Sequence, residues 1–245
     1  IIKEKKIDFV IVNGENAADS GRGITKKIFE EFLKAGADVI TTGNHVWDHK
    51  DAEDIASKNI NFLRPSNMPK DSPGNGEGIF IKNGKKFIVL NLMGNVFMKK
   101  CDDVFVEAKK FIDRFKLGNG QADFIIVDMH GEITSEKMAM GYLFDGKATM
   151  VVGTHTHVPT SDHRIMEKGT AYQTDIGMCG DYNSVIGMNR DNSLKKFLKD
   201  SSAENHFPAL GEATISGLLV TADDTTGLAK KVQPIILGGS LQERT

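Results

Sequence analysis

Two histidines one residue apart, His155 and His157, follow the apolar run at residues 148–152 (ATMVV) and sit in the stretch Gly153-Thr154-His155-Thr156-His157-Val158-Pro159. A short apolar run bounded by glycine reads as a buried strand, and Gly153 allows the sharp turn that ends it. Alternate side chains of an extended segment point the same way, so His155 and His157 are able to aim at one metal cluster. Neutral imidazole is the commonest protein metal ligand. The plain alternative is two polar loop residues. With only 7 His in the chain, a strand-end His-x-His favours metal.

The same arrangement recurs along the chain. Residues 7–12 (IDFVIV) read as a buried strand that breaks into Asn13-Gly14-Glu15-Asn16. Residues 38–41 read as a second, running into Gly43-Asn44-His45-Val46-Trp47-Asp48. Residues 123–129 read as a third, ending at His130-Gly131-Glu132. Rigid strands hold their ends in place, so these side chains are expected to converge at one sheet edge. A mixed imidazole and oxygen set suits Mn, Fe or Zn. Two such metals together bridge a phosphate, activate water and stabilise a leaving oxygen, and a carboxylate such as Glu15 has the two acceptor oxygens needed to bridge them.

Taken singly, each element has a bland explanation. Asn13-Gly14 and Gly43-Asn44 are also ordinary turn chemistry. His130 alone reads as a satisfied buried histidine, Glu132 as a structural or solvated carboxylate and Trp47 as a packing residue. Asp128 reads as a residue orienting a turn. Cys101, between Lys100 and Asp102, reads as a bystander thiol. These explanations fail jointly, because the ligand types recur at successive strand ends.

Between these strands the periodicity predicts helices. Thr25 caps one that carries Ile28, Phe29, Phe32 and Leu33 on one face and ends at Gly36. Others are expected over residues 50–57, 102–115 (with Val106, Phe111, Ile112 and Phe115 inward), 135–143 and 194–198. Asn83-Gly84 predicts a tight hairpin between residues 78–81 and 86–92, and a second hairpin turns around residues 223–227. Residues 64–76 read as a Pro/Gly-rich loop and residues 160–176 as short extended pieces. Residues 177–207 are polar and irregular, long enough to serve as a lid or substrate wall, or equally as a surface or oligomer contact. Early strand–helix alternation followed by hairpins predicts an α/β or α+β sandwich.

At 245 residues, 40% hydrophobic and 26% charged, the chain suits a soluble globular protein with one sizeable core, or at most two small domains. A net charge of −2 argues against long nucleic acid as partner or substrate. No apolar run is long enough to span a bilayer, so no membrane partner is expected. Two cysteines without a C-x-x-C pair point to a reduced, cytoplasmic setting. Oligomeric state is not legible, and a homo-oligomer is compatible with the sequence.

The order Asn-Gly-Glu-Asn, Gly-Asn-His, His, then Gly-x-His-x-His resembles the calcineurin-like metallophosphoesterases. The fuller stretches resemble the YmdB-type branch of 2′,3′-cyclic-nucleotide 2′-phosphodiesterases. These are residues 12–18 (VNGENAA), 42–48 (TGNHVWD), 63–67 (LRPSN), 128–132 (DMHGE) with 134–137 (TSEK), 153–159 (GTHTHVP) and 174–178 (TDIGM). The resemblance covers most of the chain. It implies a four-layer αββα sandwich over residues 1–245 as one domain. It also implies a centre of two divalent metals, with Fe or Mn ahead of Zn, acting on a small cyclic nucleotide. Asn44, His130 and His155 would hold one metal, and His157, Glu15 and Asn16 the other. His45 would be the general acid that protonates the leaving oxygen, or it would stabilise the pentacoordinate phosphorus.

The family's usual first strand, with a Gly-Asp turn, does not precede Glu15. Ile1-Ile2-Lys3-Glu4-Lys5-Lys6 reads as the tail of a helix, so that block is expected upstream of Ile1. Two rivals stay open: a broader phosphatase or nuclease, and a metal-bound regulatory protein with weak catalysis.

Overall fold

A computed structural model describes residues 1–118 and 120–244. The chain folds into five helices and eleven strands among the described residues. The first six elements are β1 (Ile11–Asn13), α1 (Lys26–Ala35), β2 (Val39–Thr41), α2 (Ala52–Lys58), β3 (Phe62–Leu63) and β4 (Glu77–Lys82). They are followed by β5 (Lys85–Met93), α3 (Val104–Arg114), β6 (Phe124–His130), α4 (Thr134–Phe144) and β7 (Met150–Thr154). The last five are β8 (Arg164–Ile165), β9 (Ala171–Gln173), α5 (Arg190–Phe197), β10 (Ile215–Ala222) and β11 (Ala229–Leu237).

Local chemistry sets the boundaries. Thr25 caps α1 by accepting the Ile28 N–H at 3.1 Å on Oγ1. Gly36 ends it in the left-handed region at φ 108°, where a Cβ is costly. Asn83 and Gly84 both have positive φ (51° and 75°), the geometry of a two-residue primed turn, and β4 and β5 pair across it without slippage.

The strands form three sheets. One is parallel, in the order β1-β2-β3. The largest runs β4-β5-β6-β7-β9-β8, with β5, β6, β7 and β9 parallel and an antiparallel strand at each edge. The third is the β10-β11 hairpin. The fold is therefore mixed α/β.

Side-chain alternation along the strands assigns each face. Ile88, Leu90, Val127, Met129 and Val151 pack with Val104, Ala108 and Phe111 of α3 and with Met140 and Phe144 of α4. The β2 residue Ile40 packs with Phe29 of α1 and Ile55 of α2. A third cluster brings Ile11, Val39 and Leu63 of the small parallel sheet against Phe80, Phe87, Val89 and Ile126 of the large one, and the Phe9 and Phe87 rings stack at 4.1 Å. On β6, Asp128 and His130 alternate with Val127 and Met129, which puts both polar side chains on the face turned away from the helices.

One expectation needs correction. Val106 is 52% exposed, and α3 instead buries Val104, Ala108 and Phe111, spaced four and three residues apart on one stripe. The loop expected at residues 64–76 follows β3, whose two residues pair with β2 in parallel and are too few to show a period. Residues 1–6 close as the tail of a helix does: Lys6 takes φ 52°, its N–H donates to the Lys3 carbonyl at 3.4 Å, and the Ile7 N–H donates to the Ile2 carbonyl at 3.0 Å. Among the described residues no helix is long and apolar enough to cross a membrane.

Candidate metal centre

The C-terminal ends of β1, β2, β6 and β7 lie together, and the polar residues of their turns meet there. β6 delivers His130, which is 1% exposed. Its Nδ1 lies 3.0 Å from Thr154 Oγ1, and that hydroxyl donates to Asp128 Oδ1 at 2.7 Å. With its own proton committed to Asp128, Thr154 Oγ1 accepts from His130 Nδ1–H. This relay turns Nε2 into the site. Asp128 is fully buried and also accepts from Thr41 Oγ1 (2.6 Å) and Asn13 Nδ2 (2.9 Å), which ties the two sheets together behind the ring. Burial raises the Asp128 pKa above the ordinary carboxylate value despite these donors.

Three heteroatoms surround His130 Nε2: Glu15 Oε2 at 2.9 Å, Asn44 Oδ1 at 2.9 Å and His155 Nδ1 at 3.1 Å. Ligand atoms of Glu15, His130 and His155 all lie within 4.8 Å of one another. With the ring proton on Nδ1, Nε2 presents a lone pair to these three atoms, so the arrangement is that of a donor set built around a cation rather than of a saturated hydrogen-bond network. Glu15 is 2% exposed, and its other oxygen, Oε1, accepts the His45 N–H at 2.8 Å. Burial raises its pKa, but the charge and hydrogen bond of His130, with the His45 N–H, outweigh burial and hold it at about 2. Burial, reinforced by the neighbouring His130, pushes His155 down to about 4, so its ring is uncharged at neutral pH.

A second group lies beside the first. His157 Nδ1 is 2.7 Å from the Ile186 carbonyl, to which only an N–H can donate, leaving Nε2 with its lone pair. Asn16 Nδ2 is 3.3 Å from that Nε2, while Asn16 Oδ1 is buried without a partner. An orphaned buried oxygen next to a lone-pair imidazole fits a cation as well. His155 and His157 both take positive φ, 97° and 67°, uncommon for residues with a side chain. Asp175 secures the turn between them. Its Oδ2 accepts from Thr156 N (3.1 Å), Thr156 Oγ1 (2.7 Å) and Lys137 Nζ (2.8 Å), and Lys137 and Asp175 are both 1% exposed.

His45 has its ring held by Asp48. Its Nδ1 is 2.6 Å from Asp48 Oδ2, and the other Asp48 oxygen is 3.2 Å from Lys99 Nζ. It is joined to the cluster through its backbone. Gly43 is fixed by space: a Cβ there would fall 2.2 Å from His130 Nε2.

The YmdB-like protein family matches residues 1–235. The chain belongs to the YmdB-like family. A relative from Bacillus subtilis (strain 168), named 2′,3′-cyclic-nucleotide 2′-phosphodiesterase, is 43% identical over 232 residues, which cover 95% of this chain and 86% of that protein. A crystal structure of a hypothetical protein from Thermus thermophilus superposes with TM-score 0.88 at 35% identity, covering 97% of this chain and 90% of that one. A crystal structure described as a novel phosphatase from Mycoplasma pneumoniae gives TM-score 0.88 at 36% identity, covering 97% and 84%.

The YmdB-like chain thus brings Glu15, Asn44, His130 and His155 into one cluster and Asn16 and His157 into a neighbouring pair. Reading the sequence underweighted four residues. Glu132, read there as structural, has Oε2 at 3.1 Å from His155 Nε2. Asp48 was legible in principle from its place three residues after His45. Lys137 and Asp175 lie 38 residues apart, and no local pattern joins them. Cys101 is a bystander: burial, with Asp102 and Glu136 nearby, pushes its thiol up to about 11.

Proposed function

We propose that this chain is a metal-dependent phosphodiesterase that opens 2′,3′-cyclic nucleotides at the P–O2′ bond. The observation that carries the reading is the convergence of Glu15 Oε2, Asn44 Oδ1 and His155 Nδ1 on His130 Nε2. The activity for which the B. subtilis relative is named supports the substrate class. In this reading residues 1–245 form one domain, and the three core clusters are the contacts of a helix–sheet–sheet–helix sandwich.

Asn44, His130 and His155 would hold one divalent ion, and His157, Glu15 and Asn16 the other, with Fe, Mn or Zn all compatible with the N/O set. Bound there, the metals supply Lewis acidity toward a phosphoryl oxygen and toward water. The chain does the rest. Glu15 faces two ways, with Oε2 toward His130 and Oε1 tied to the His45 backbone, so the ligand set and the acid loop are positioned by one carboxylate. His45 supplies the proton to the departing 2′-oxygen. Asp48 holds its Nδ1 side, which leaves Nε2 as the face offered to substrate. Water adds to phosphorus, the P–O2′ bond breaks, and the 3′-monophosphate leaves. The Ile186 carbonyl against His157 supports residues 177–207 as a substrate wall.

The test is hydrolysis of 2′,3′-cyclic AMP with added Mn²⁺, with and without chelator, with identification of the product isomer. Chelator-sensitive release of the 3′-monophosphate is expected. Absence of turnover in protein with bound metal overturns the reading.

A further inference from the structure

A cavity of about 470 Å³ opens directly beside the metal-facing residue Asn44. Its size lies within the ~300–1,000 Å³ typical of small-molecule sites. Its apolar lining is the buried side chains of Met68 and Met93, with Pro69, Pro73 and the indole of Trp47. Lys99, Lys100 and Asp71 supply its charged groups, two cations to one anion. An apolar pocket with an aromatic side chain and a net cationic lining is the chemistry that accepts a heteroaromatic ring carried by an anion.

Connectivity of the substrate says which ring belongs there. Resting on the phosphodiesterase reading, the oxygen released at P–O2′ takes its proton from His45. In a nucleoside the carbon bearing that oxygen is bonded to the carbon bearing the base. The base must therefore lie within a few bond lengths of the His45 ring, on the leaving-group side. The cavity lies next to His45: Asn44, one residue before it, and Trp47, two after it, both line the cavity, and lining residue Lys99 binds the Asp48 carboxylate that holds the His45 ring. We propose that this cavity is the nucleobase subsite, with the base stacked on Trp47 over Met68 and Met93. Trp47 then contributes to nucleotide recognition as well as to packing.

Trp47 is the only tryptophan in the chain, so its emission reports on the cavity without any turnover. The full chain, treated with chelator, is titrated with adenosine 3′-monophosphate and, separately, with ribose 3-phosphate. Base-dependent quenching by the nucleotide alone is expected, and its loss in Ser72→Phe, which narrows the cavity, is expected as well. Equal responses to the two ligands, or a nucleotide response unchanged in Ser72→Phe, overturn the subsite.

With metal restored, kcat/KM is compared for 2′,3′-cyclic AMP and for methyl riboside 2,3-cyclic phosphate, which lacks a base. In Trp47→Leu the ratio of the two should fall about tenfold, the scale of one lost base–aromatic stack, mainly through KM. An unchanged ratio in a protein that hydrolyses both overturns the subsite alone. Hydrolysis of neither substrate by the unmodified protein overturns the phosphodiesterase reading and the subsite with it.

Discussion

His130 and His157 are imidazoles at the ends of neighbouring segments, yet the chain fixes them by different means. His130 is 1% exposed, ends a seven-residue strand and is held by the side-chain relay through Thr154 and Asp128. His157 is partly exposed, lies in a turn and is held by the Ile186 carbonyl, 29 residues further along the chain. The first position is rigid because both sheets pack around it. The second depends on a long irregular segment and on the buried Lys137–Asp175 pair behind the turn. The centre thus has a preformed half and a half whose geometry is borrowed from loops.

Glu15→Gln strikes at this contrast most directly, because Glu15 is the residue proposed to serve both halves. Metal content should fall by most of its value and turnover should drop toward the uncatalysed background. Elemental analysis that still finds both metals would remove Glu15 from the ligand set. His45→Ala comes next. General-acid assistance is worth roughly 10²–10⁴-fold, so turnover should fall on that scale while metal content is retained. An unaltered rate sinks the acid role.

Lys137→Met tests the support of the borrowed half. It leaves Asp175 charged and buried, which costs about 3–5 kcal/mol, or roughly 10 °C in melting temperature for a chain of this size. Metal affinity should weaken at the His157 position more than at the His130 position. Equal weakening at both would show that the halves are not separately supported.

The smallest effect concerns the metal-free protein in acid. The pKa of His155 is held at about 4 when folded and rises to the ordinary imidazole value, about 6.5, when unfolded. The unfolded state therefore binds protons first, and stability declines as pH falls from 6.5 to 4. Glu15, held at about 2 against an ordinary 4.5, contributes stability above pH 4.5 that is lost as pH falls toward 2. The melting temperature of chelated protein should follow this slope, and His155→Gln should flatten its upper part. An unchanged slope would show that His155 is not what the acid reaches first.

Much of the preformed half was legible in the sequence. Apolar runs stopping at Glu15, Asn44, His130 and His155 placed four candidate ligands at strand ends, and parallel pairing then brought those ends together. Thr25, Gly36 and Asn83-Gly84 were legible because their backbone chemistry is local. The borrowed half was not. Ile186 meets His157 through tertiary folding of a segment without periodicity, and Lys137 meets Asp175 from the interior of a helix. Trp47 shows the same limit. An aromatic residue reads as packing until the space beside it is known, and that space is lined by Pro69 and Met93 from distant parts of the chain.

The clearance at Gly43 has a consequence for how such chains diverge. A single methyl group there would fall where the His130 ring sits. Glycine becomes alanine by one base change in any of its codons. A duplicated copy of this gene is therefore one mutational step from a protein of the same outline that no longer seats the ring, available for selection as a binding scaffold instead of a catalyst.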